Sequence, residues 1–413
     1  FGSMLSRWLT SRGALRTWQL IRPSPVMAPG EVAPPSGRSI PIVDLSDLQH
    51  DRAKFFREME FALCRVGFML LRAPGFEADF QQRCFDISHA FFDLSVEQKE
   101  PYSVVHSPHF RGWAVGGGIS KHILQAFQMG VDERPWHDTF DHSRPLHERI
   151  QHGPNVWPDE ALVPGFRAQL EELHARYLKL SRQLGHLICE LLRVDPAVYD
   201  GYFDPKTPSV LAAVNRYTPA ARVADADARM QIQESFADNS MGGAGMGAHR
   251  DGAPFVTLLI GDRPGLQVLD PHDNLTWIDV PVVPGTVVVN IGTTLMKLSG
   301  GRMISTTHRV NPTLAMDGNR VSLPYFLLPH LEGDLVPFHE PQSRVGPRAS
   351  EARAGRDRAL AYAVDRCALF RDAADRWYRE DFAAAREAFK AETLRRKGAV
   401  QTKKSLTTAA SRL

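Results

Sequence analysis

The stretch from Val210 to Pro329 limits the fold of this chain more than any other. Runs of β-branched, aliphatic and aromatic residues, Phe255–Ile260, Leu266–Leu269, Leu275–Ile278, Thr286–Val289 and Val321–Leu328, are each cut off by Gly, Pro, Asp or Asn. Runs this short cannot be helices, and their even punctuation is that of strands joined by turns in a sandwich or barrel. The expectation is a mainly β protein with flanking helices and a double-stranded β-helix, or jelly-roll, core. The helices lie outside this block. Phe166, Leu170, Leu173, Tyr177, Leu180, Leu184, Leu187 and Leu191 recur at three- and four-residue steps and predict one long scaffold helix. Further helices are expected over Phe55–Val66 and Phe76–Phe92 and from Ser350 onward, with strands at Ile40–Leu45 and Phe68–Leu71. Tyr102 to Pro164, with Gly116-Gly117-Gly118 and many prolines, reads as loop-rich, and Ala224–Gly247, with too little apolar periodicity for a core element, as a mobile loop that would close over a neighbouring site as a lid.

The domain reading follows these boundaries. Residues 1–38 form a leader, 39–165 an amino-terminal α/β part, 166–340 the jelly-roll core with its scaffold helix, and 341–413 carboxy-terminal helices with a polar tail. Phe1-Gly2-Ser3 is set aside as a scar, and the acid-free, Arg-bearing stretch Met4–Gly30 has the pattern of a mitochondrial presequence. Ser411-Arg412-Leu413 has that of a peroxisomal address, so the expected place is the cytoplasm or peroxisomal matrix, with the mitochondrion as alternative. Forty-nine basic against 47 acidic residues leave a net charge of +2, too little for a nucleic-acid or membrane footprint, and no apolar run is long enough to span a bilayer. A small-molecule partner and a monomer or weak dimer are expected. Four cysteines, widely spaced, signal neither a disulfide framework nor a zinc knuckle.

Chemistry concentrates in three places. On an extended segment the side chains of His249 and Asp251, two residues apart, point the same way and can converge on one cation. A His-x-Asp is common by chance among 16 histidines, but here a run of strand-like segments leads on to His308, a third ligand that a jelly roll can bring to the same point. Two histidines and one carboxylate leave three positions open on a metal, as oxygen activation requires, whereas structural zinc would ask for four protein ligands. Beyond His308 comes Arg320-Val-Ser322 in a β-rich run, again two residues apart. A guanidinium fork with a hydroxyl beside it suits a carboxylate. His330-Leu-Glu332, the rival metal pair, has no strand block after it and reads as surface.

Together these segments resemble the iron(II)- and 2-oxoglutarate-dependent dioxygenases, in the branch that contains isopenicillin N synthase and the plant flavonoid and hormone oxygenases. The likeness is carried by His249-Arg-Asp251, Gly265-Leu-Gln-Val268, Trp277-Ile-Asp-Val280, Pro284-Gly-Thr286, Asn290-Ile-Gly292, His308-Arg-Val310 and Arg320-Val-Ser322. Ile40–Asp44, Gly67-Phe68, Asn155-Val-Trp-Pro158 and Asn215-Arg-Tyr217 extend it over roughly residues 39 to 340. Two departures, Gly300-Gly301 before the last histidine and Thr293 after Gly292, touch no expected ligand. The resemblance implies that His249, Asp251 and His308 are the catalytic iron ligands. Arg320 and Ser322 would hold the distal carboxylate of 2-oxoglutarate, completed by Tyr217 and Asn215, although a strand tyrosine taken alone is more often packing. Fe(II), 2-oxoglutarate and O2 are the implied cofactors, with ascorbate as an accessory reductant. The implied reaction hydroxylates, desaturates or cyclises a metabolite, such as one of secondary metabolism, and releases succinate and CO2. Other readings are an isopenicillin N synthase-like oxidase that uses no 2-oxo acid, a zinc hydrolase, and a non-catalytic jelly-roll binding protein. Substrate contacts are expected from Ser103–His122, Ala224–Gly247 and the residues after Pro329.

Overall fold

A computed structural model describes residues 39–132, 143–203, 209–237, 246–313, 318–331, 335, 337–338 and 349–410. The leader, the terminal Ser411-Arg412-Leu413, Glu332 of the rival pair and the glycine-rich residues 238–245 lie outside them. The strands are β1 (Ile42–Asp44), β2 (Phe68–Arg72), β3 (Gly112–Val115), β4 (Leu124–Met129), β5 (Ser209–Tyr217), β6 (Met246–His249), β7 (Val256–Gly261), β8 (Leu266–Leu269), β9 (Trp277–Asp279), β10 (Thr286–Ile291), β11 (His308–Val310) and β12 (Arg320–Leu328). The principal helices are α1 (Arg52–Phe61), α2 (Ala78–Asp93), α3 (Leu146–Gln151), α4 (Phe166–Leu192), α5 (Ala226–Ala237), α6 (Thr293–Leu298), α7 (Ala349–Leu369), α8 (Arg371–Trp377) and α9 (Arg379–Ala410).

The strands form two sheets, an eight-stranded one in the order β1-β2-β10-β7-β12-β5-β4-β3 and a four-stranded one in the order β6-β11-β8-β9. Pairing is antiparallel throughout except between β1 and β2. Alternation along each strand of the large sheet sorts its two faces. Met69, Leu71, Val287, Val289, Leu258, Ile260, Val321, Leu323, Val214 and Phe127 belong to the core formed with α2 and α4, where Tyr177 of the scaffold helix donates to the Leu323 carbonyl at 3.0 Å. The intervening residues Phe68, Leu70, Val288 and Tyr217 meet Leu266, Val268 and Val310 of the small sheet. Both faces of the large sheet are therefore covered, which is why its strands read as nearly continuous apolar runs. The jelly-roll expectation holds, with the site between the sheets.

Two expectations are corrected. The stretch Tyr102–Pro164 is not all loop, because β3 and β4 within it extend the large sheet beyond β5 and α3 follows them. In β4, Phe127 and Met129 turn to the helical core while Leu124 packs between the sheets, an alternation masked by the glycines and prolines around it. The Ala224–Gly247 stretch, read as a mobile loop without apolar periodicity, begins with α5. Ala228, Ile232 and Phe236 are four residues apart, line one face of that helix and are buried with Ile123, Ala220 and Val223. The period was present but carried by only three residues.

Gly67 ties the amino-terminal elements to the site. It ends the π-turn Ala62–Val66 that follows α1 with φ +76°, and a Cβ there would meet Thr306 Oγ1 at 2.3 Å and the Ile304 carbonyl at 2.4 Å. That closeness lets Thr306 Oγ1 donate to the Val66 carbonyl at 2.7 Å just before His308. Gly67→Ala should therefore cost roughly 2–5 kcal/mol, the sum of left-handed strain and overpacking. Denaturant unfolding would measure it, and a loss below about 1 kcal/mol would show that the approach is slack.

Candidate metal and cosubstrate site

His249 closes β6 and His308 opens β11, and the two are direct partners across the antiparallel pair. Their rings lie 4.3 Å apart, centroid to centroid. Each imidazole uses Nδ1 toward a backbone carbonyl two residues before it, His249 to Gly247 at 2.8 Å and His308 to Thr306 at 3.1 Å. With Nδ1–H donating there, the Nε2 lone pairs are free and point inward, the tautomer that metal ligation needs. Phe68 packs edge-on against the His308 ring at 5.2 Å and limits its rotation.

Asp251 supplies the third donor. Its Oδ1 lies 3.5 Å from His249 Nε2 and 3.7 Å from His308 Nε2, and the three ligand atoms fall within 4.8 Å of one another. Donors at adjacent positions around one metal, with bonds of about 2.1 Å, sit about 3 Å apart, so only a small contraction is needed. The other oxygen, Oδ2, is fixed: it accepts from Thr257 Oγ1 at 2.6 Å and from Asn290 Nδ2 at 2.8 Å. These two residues face each other across β7 and β10. The backbone is held as well, since the Thr293 amide donates to the Asp251 carbonyl at 2.7 Å and the Thr294 hydroxyl to the Ala253 carbonyl at 3.0 Å, so the departure at Thr293, expected to touch no ligand, does touch one through its backbone. Gly292 permits this, because a Cβ there would meet the Pro254 carbonyl at 1.9 Å. Asn290 and Thr257 were not singled out from the sequence as site residues. A polar residue interrupting the apolar run Thr286–Ile291 was the available signal.

Electrostatics fit a cation. Burial works against the charge of Asp251, yet His308, His249 and the Thr257 hydroxyl hold its carboxyl well below the usual range. Burial, with His249 adjoining, pushes His308 down to about 4, whereas for His249 the pull of Asp251 outweighs burial and raises it. The carboxylate held ionised between two imidazoles whose Nε2 atoms face it is the donor set of a cation site.

Arg320, Ser322, Tyr217 and Asn215 come together on the inner face of the large sheet. Arg320 is opposite Tyr217 and Ser322 opposite Asn215 across β12 and β5, and all four are buried. The guanidinium carbon stands 5.4 Å from the centre of the Tyr217 ring, and the Tyr217 and Ser322 hydroxyls share a hydrogen bond. Arg320 Nε donates to the Arg263 carbonyl at 3.0 Å, while Nη1 is buried without a partner. Among the described residues no carboxylate is ion-paired with Arg320; Asp262, the nearest acid, is bonded to the Val321 amide and to His89. Gly261 and Gly265 give the side chain room, since a Cβ would come within 3.2 Å of Nη2 at the first and 3.1 Å of Cδ at the second. An orphaned buried donor on a permanently charged group fits an anionic ligand. The remaining resemblance motifs are structural: Asn155 bonds both backbone groups of Gly130, and Trp157 Nε1 donates to Asp132. His330 is exposed.

Comparison with known proteins agrees with this geometry. The profile of the non-haem dioxygenase in morphine synthesis N-terminal family matches residues 40–160, and that of the 2OG-Fe(II) oxygenase superfamily matches residues 213–329. A 2-oxoglutarate-dependent dioxygenase of Gibberella zeae is 31% identical over 325 residues, covering 72% of this chain and 81% of the relative. Validamycin A dioxygenase of Streptomyces hygroscopicus subsp. limoneus is 29% identical, covering 73% and 80%. Among solved structures, a Caulobacter crescentus protein assigned to the 2OG-Fe(II) oxygenase family aligns with a TM-score of 0.58 at 24% identity, covering 78% of this chain and 100% of that one. JOX2 in complex with 2OG, Fe and JA aligns at 0.54 and 22%, covering 80% and 86%. These two likenesses concern the fold. The matches bear out the dioxygenase reading with iron and 2-oxoglutarate and do not favour the oxidase, the zinc hydrolase or the non-catalytic module. Carrying the metal triad's geometry, both family profiles and a 31% identical relative, the chain belongs to the 2OG-Fe(II) oxygenase superfamily.

Proposed function

We propose that His249, Asp251 and His308 hold a single Fe(II), and that Arg320, with Ser322 and Tyr217, receives the distal carboxylate of 2-oxoglutarate, Asn215 adding a polar contact from the facing strand. The observation that carries this reading is the buried, partnerless Nη1 of Arg320 on the sheet face that also bears Thr257 and Asn290, the residues gripping Asp251. Iron held by these three residues would supply the chemistry, activating dioxygen at the expense of 2-oxoglutarate, which would leave as succinate and CO2. The protein's own share is placement. Asn290 and Thr257 keep Oδ2 occupied so that Oδ1 turns to the metal, the two backbone carbonyls keep both imidazoles in the ligating tautomer, and the inter-sheet core excludes water. Oxidation of a small molecule is the reading for this chain, and the same residues serve hydroxylation, desaturation and ring closure. For its assembly the reading is a monomer or weak dimer. A cytoplasmic or peroxisomal place rests on Ser411-Arg412-Leu413 alone; no helix among the described residues is long and apolar enough to cross a membrane.

Asn290→Ala and Thr257→Ala should each weaken metal affinity by about 10- to 100-fold, because outer partners of a ligand tune it by that much. Competition against a chelator, with circular dichroism to check the fold, measures this; unchanged affinity in both would leave the carboxylate's orientation to other groups. Arg320→Ala should raise the KM for 2-oxoglutarate by roughly 30- to 5,000-fold, the equivalent of about 2–5 kcal/mol for truncating one partner of a buried charge pair. Metal affinity should be unchanged in that variant, and Lys should rescue only in part, having the charge without the fork. A stable Arg320→Ala enzyme with an ordinary KM would remove Arg320 from the cosubstrate site.

A further inference from the structure

Another buried guanidinium, outside the metal and cosubstrate set, makes no ion pair among the described residues. Arg366 on α7 is 8% exposed, and its Nε and Nη2 have no hydrogen-bond partner. One turn earlier on the same helix face, Tyr362 is 7% exposed and its hydroxyl is likewise unpartnered. Arg366 makes no ion pair among the described residues. Asp365, beside it in sequence, forms none with it, and Asp381 is taken by Arg149 at 3.0 Å. Arg366 and Arg111, whose Nη2 is bonded to the Gln151 carbonyl, both bring positive charge to bear on Tyr362. The Arg366 guanidinium rests over the Phe370 ring at 4.7 Å, which orients it without neutralising it. Burying a permanent cation without a partner is expensive, and a chain that tolerates it has an anion to put there.

The free atoms say which anion. Nε–H and Nη2–H lie parallel along one edge of the guanidinium, the edge that takes the two oxygens of a carboxylate side by side. A hydroxyl one turn away adds a third donor. The position of α7 says what the anion is for. Tyr362 and Phe370 belong to one apolar cluster with Phe110 and Leu328, against which Leu211, Phe326 and Ala253 pack. Phe326 is the register partner of Thr257, which grips the Asp251 carboxylate, and Ala253 is two residues beyond Asp251. The apolar patch between Arg366 and the metal residues therefore ends at the reacting end of the site.

We propose that the substrate is a small carboxylic acid, its carboxylate gripped by the Nε/Nη2 edge of Arg366 and by the Tyr362 hydroxyl, and its apolar body laid along Phe326, Leu211 and Ala253 toward the metal. Oxidation then falls on carbon remote from the carboxylate. The direction of the substrate rests on the metal assignment above; the anion grip does not.

The test measures binding, with the full chain loaded with redox-inert Zn(II) and saturating 2-oxoglutarate so that Arg320 is already engaged. Phenylacetate, 4-phenylbutyrate and octanoate are titrated against their primary amides by calorimetry. Each acid should bind about 10- to 100-fold more tightly than its amide, the span of a charge-assisted hydrogen-bonded pair. Arg366→Gln should bring acid and amide to within about twofold while 2-oxoglutarate affinity is kept, and Tyr362→Phe should narrow the preference in part. Arg366→Gln should also melt no lower than the wild type, since it relieves an uncompensated charge. Equal affinity for acid and amide in the wild type, absence of binding by either included, overturns the proposal. So does a preference that survives Arg366→Gln, or a fall of several degrees in that variant's Tm, which would make Arg366 a structural residue. Failure of 2-oxoglutarate to bind the wild type would count against the cosubstrate assignment instead, and the acid-to-amide ratio would still be read on its own.

Discussion

Everything in the site hangs on the pairing of β6 with β11. It sets His249 opposite His308 with ring centres 4.3 Å apart, and it leaves the chain, two residues later, where the carboxylate of Asp251 can complete the set. Three titratable groups at this spacing, Asp251 and His308 buried and His249 half-buried, repel or neutralise one another unless a cation is present, so the pairing alone would be a liability. The large sheet makes it tolerable. Thr257 and Asn290 direct their hydrogen bonds to one carboxylate oxygen, and Gly292 lets the loop after Asp251 lie against the chain that follows β10. Gly67 brings the chain before β11 onto the amino-terminal elements. All but the Thr257 contact join segments far apart in sequence, and a jelly roll meets that demand because its strands alternate between facing sheets.

Arg320 and Arg366, two of the buried arginines without an ion pair among the described residues, can be set side by side. Arg320 is sunk between the sheets beyond Ser322, and Arg366 comes down from the carboxy-terminal helices at the rim where β12 ends. Each is fixed by an aromatic ring, Tyr217 or Phe370, and each has an N–H without a partner. Aromatic contact holds a guanidinium in place at a smaller energetic return than an ion pair gives, so the positive potential remains available to a ligand.

Much of this was legible in the residues, and what was not had physical causes. The metal set could be read because a period-two pair and a later histidine in a strand block leave few ways to converge, and Arg320-Val-Ser322 because the same period applies. Asn290 and Thr257 escaped because their role depends on which strands become neighbours: β7 and β10 pair across a long sequence separation that no local pattern records. β4 escaped because flanking glycines and prolines hid its alternation, and α5 because three apolar residues in a polar stretch make a weak stripe. Arg366 could not have been found at all. An arginine on an Ala- and Arg-rich helix is ordinarily solvated, and only packing reveals one that is buried without a counter-ion.

The claim on which the rest stands is that one iron and one 2-oxo acid meet at this triad. Anaerobic titration of the metal-free protein with Fe(II), followed by 2-oxoglutarate and monitored by visible absorption, tests it most directly, because a 2-oxo acid chelating iron(II) gives a charge-transfer band that neither component shows alone. The predicted result is saturation at one iron per chain and a band that appears only after 2-oxoglutarate is added. Iron binding that survives replacement of His308, or a protein holding both ligands without the band, would contradict it.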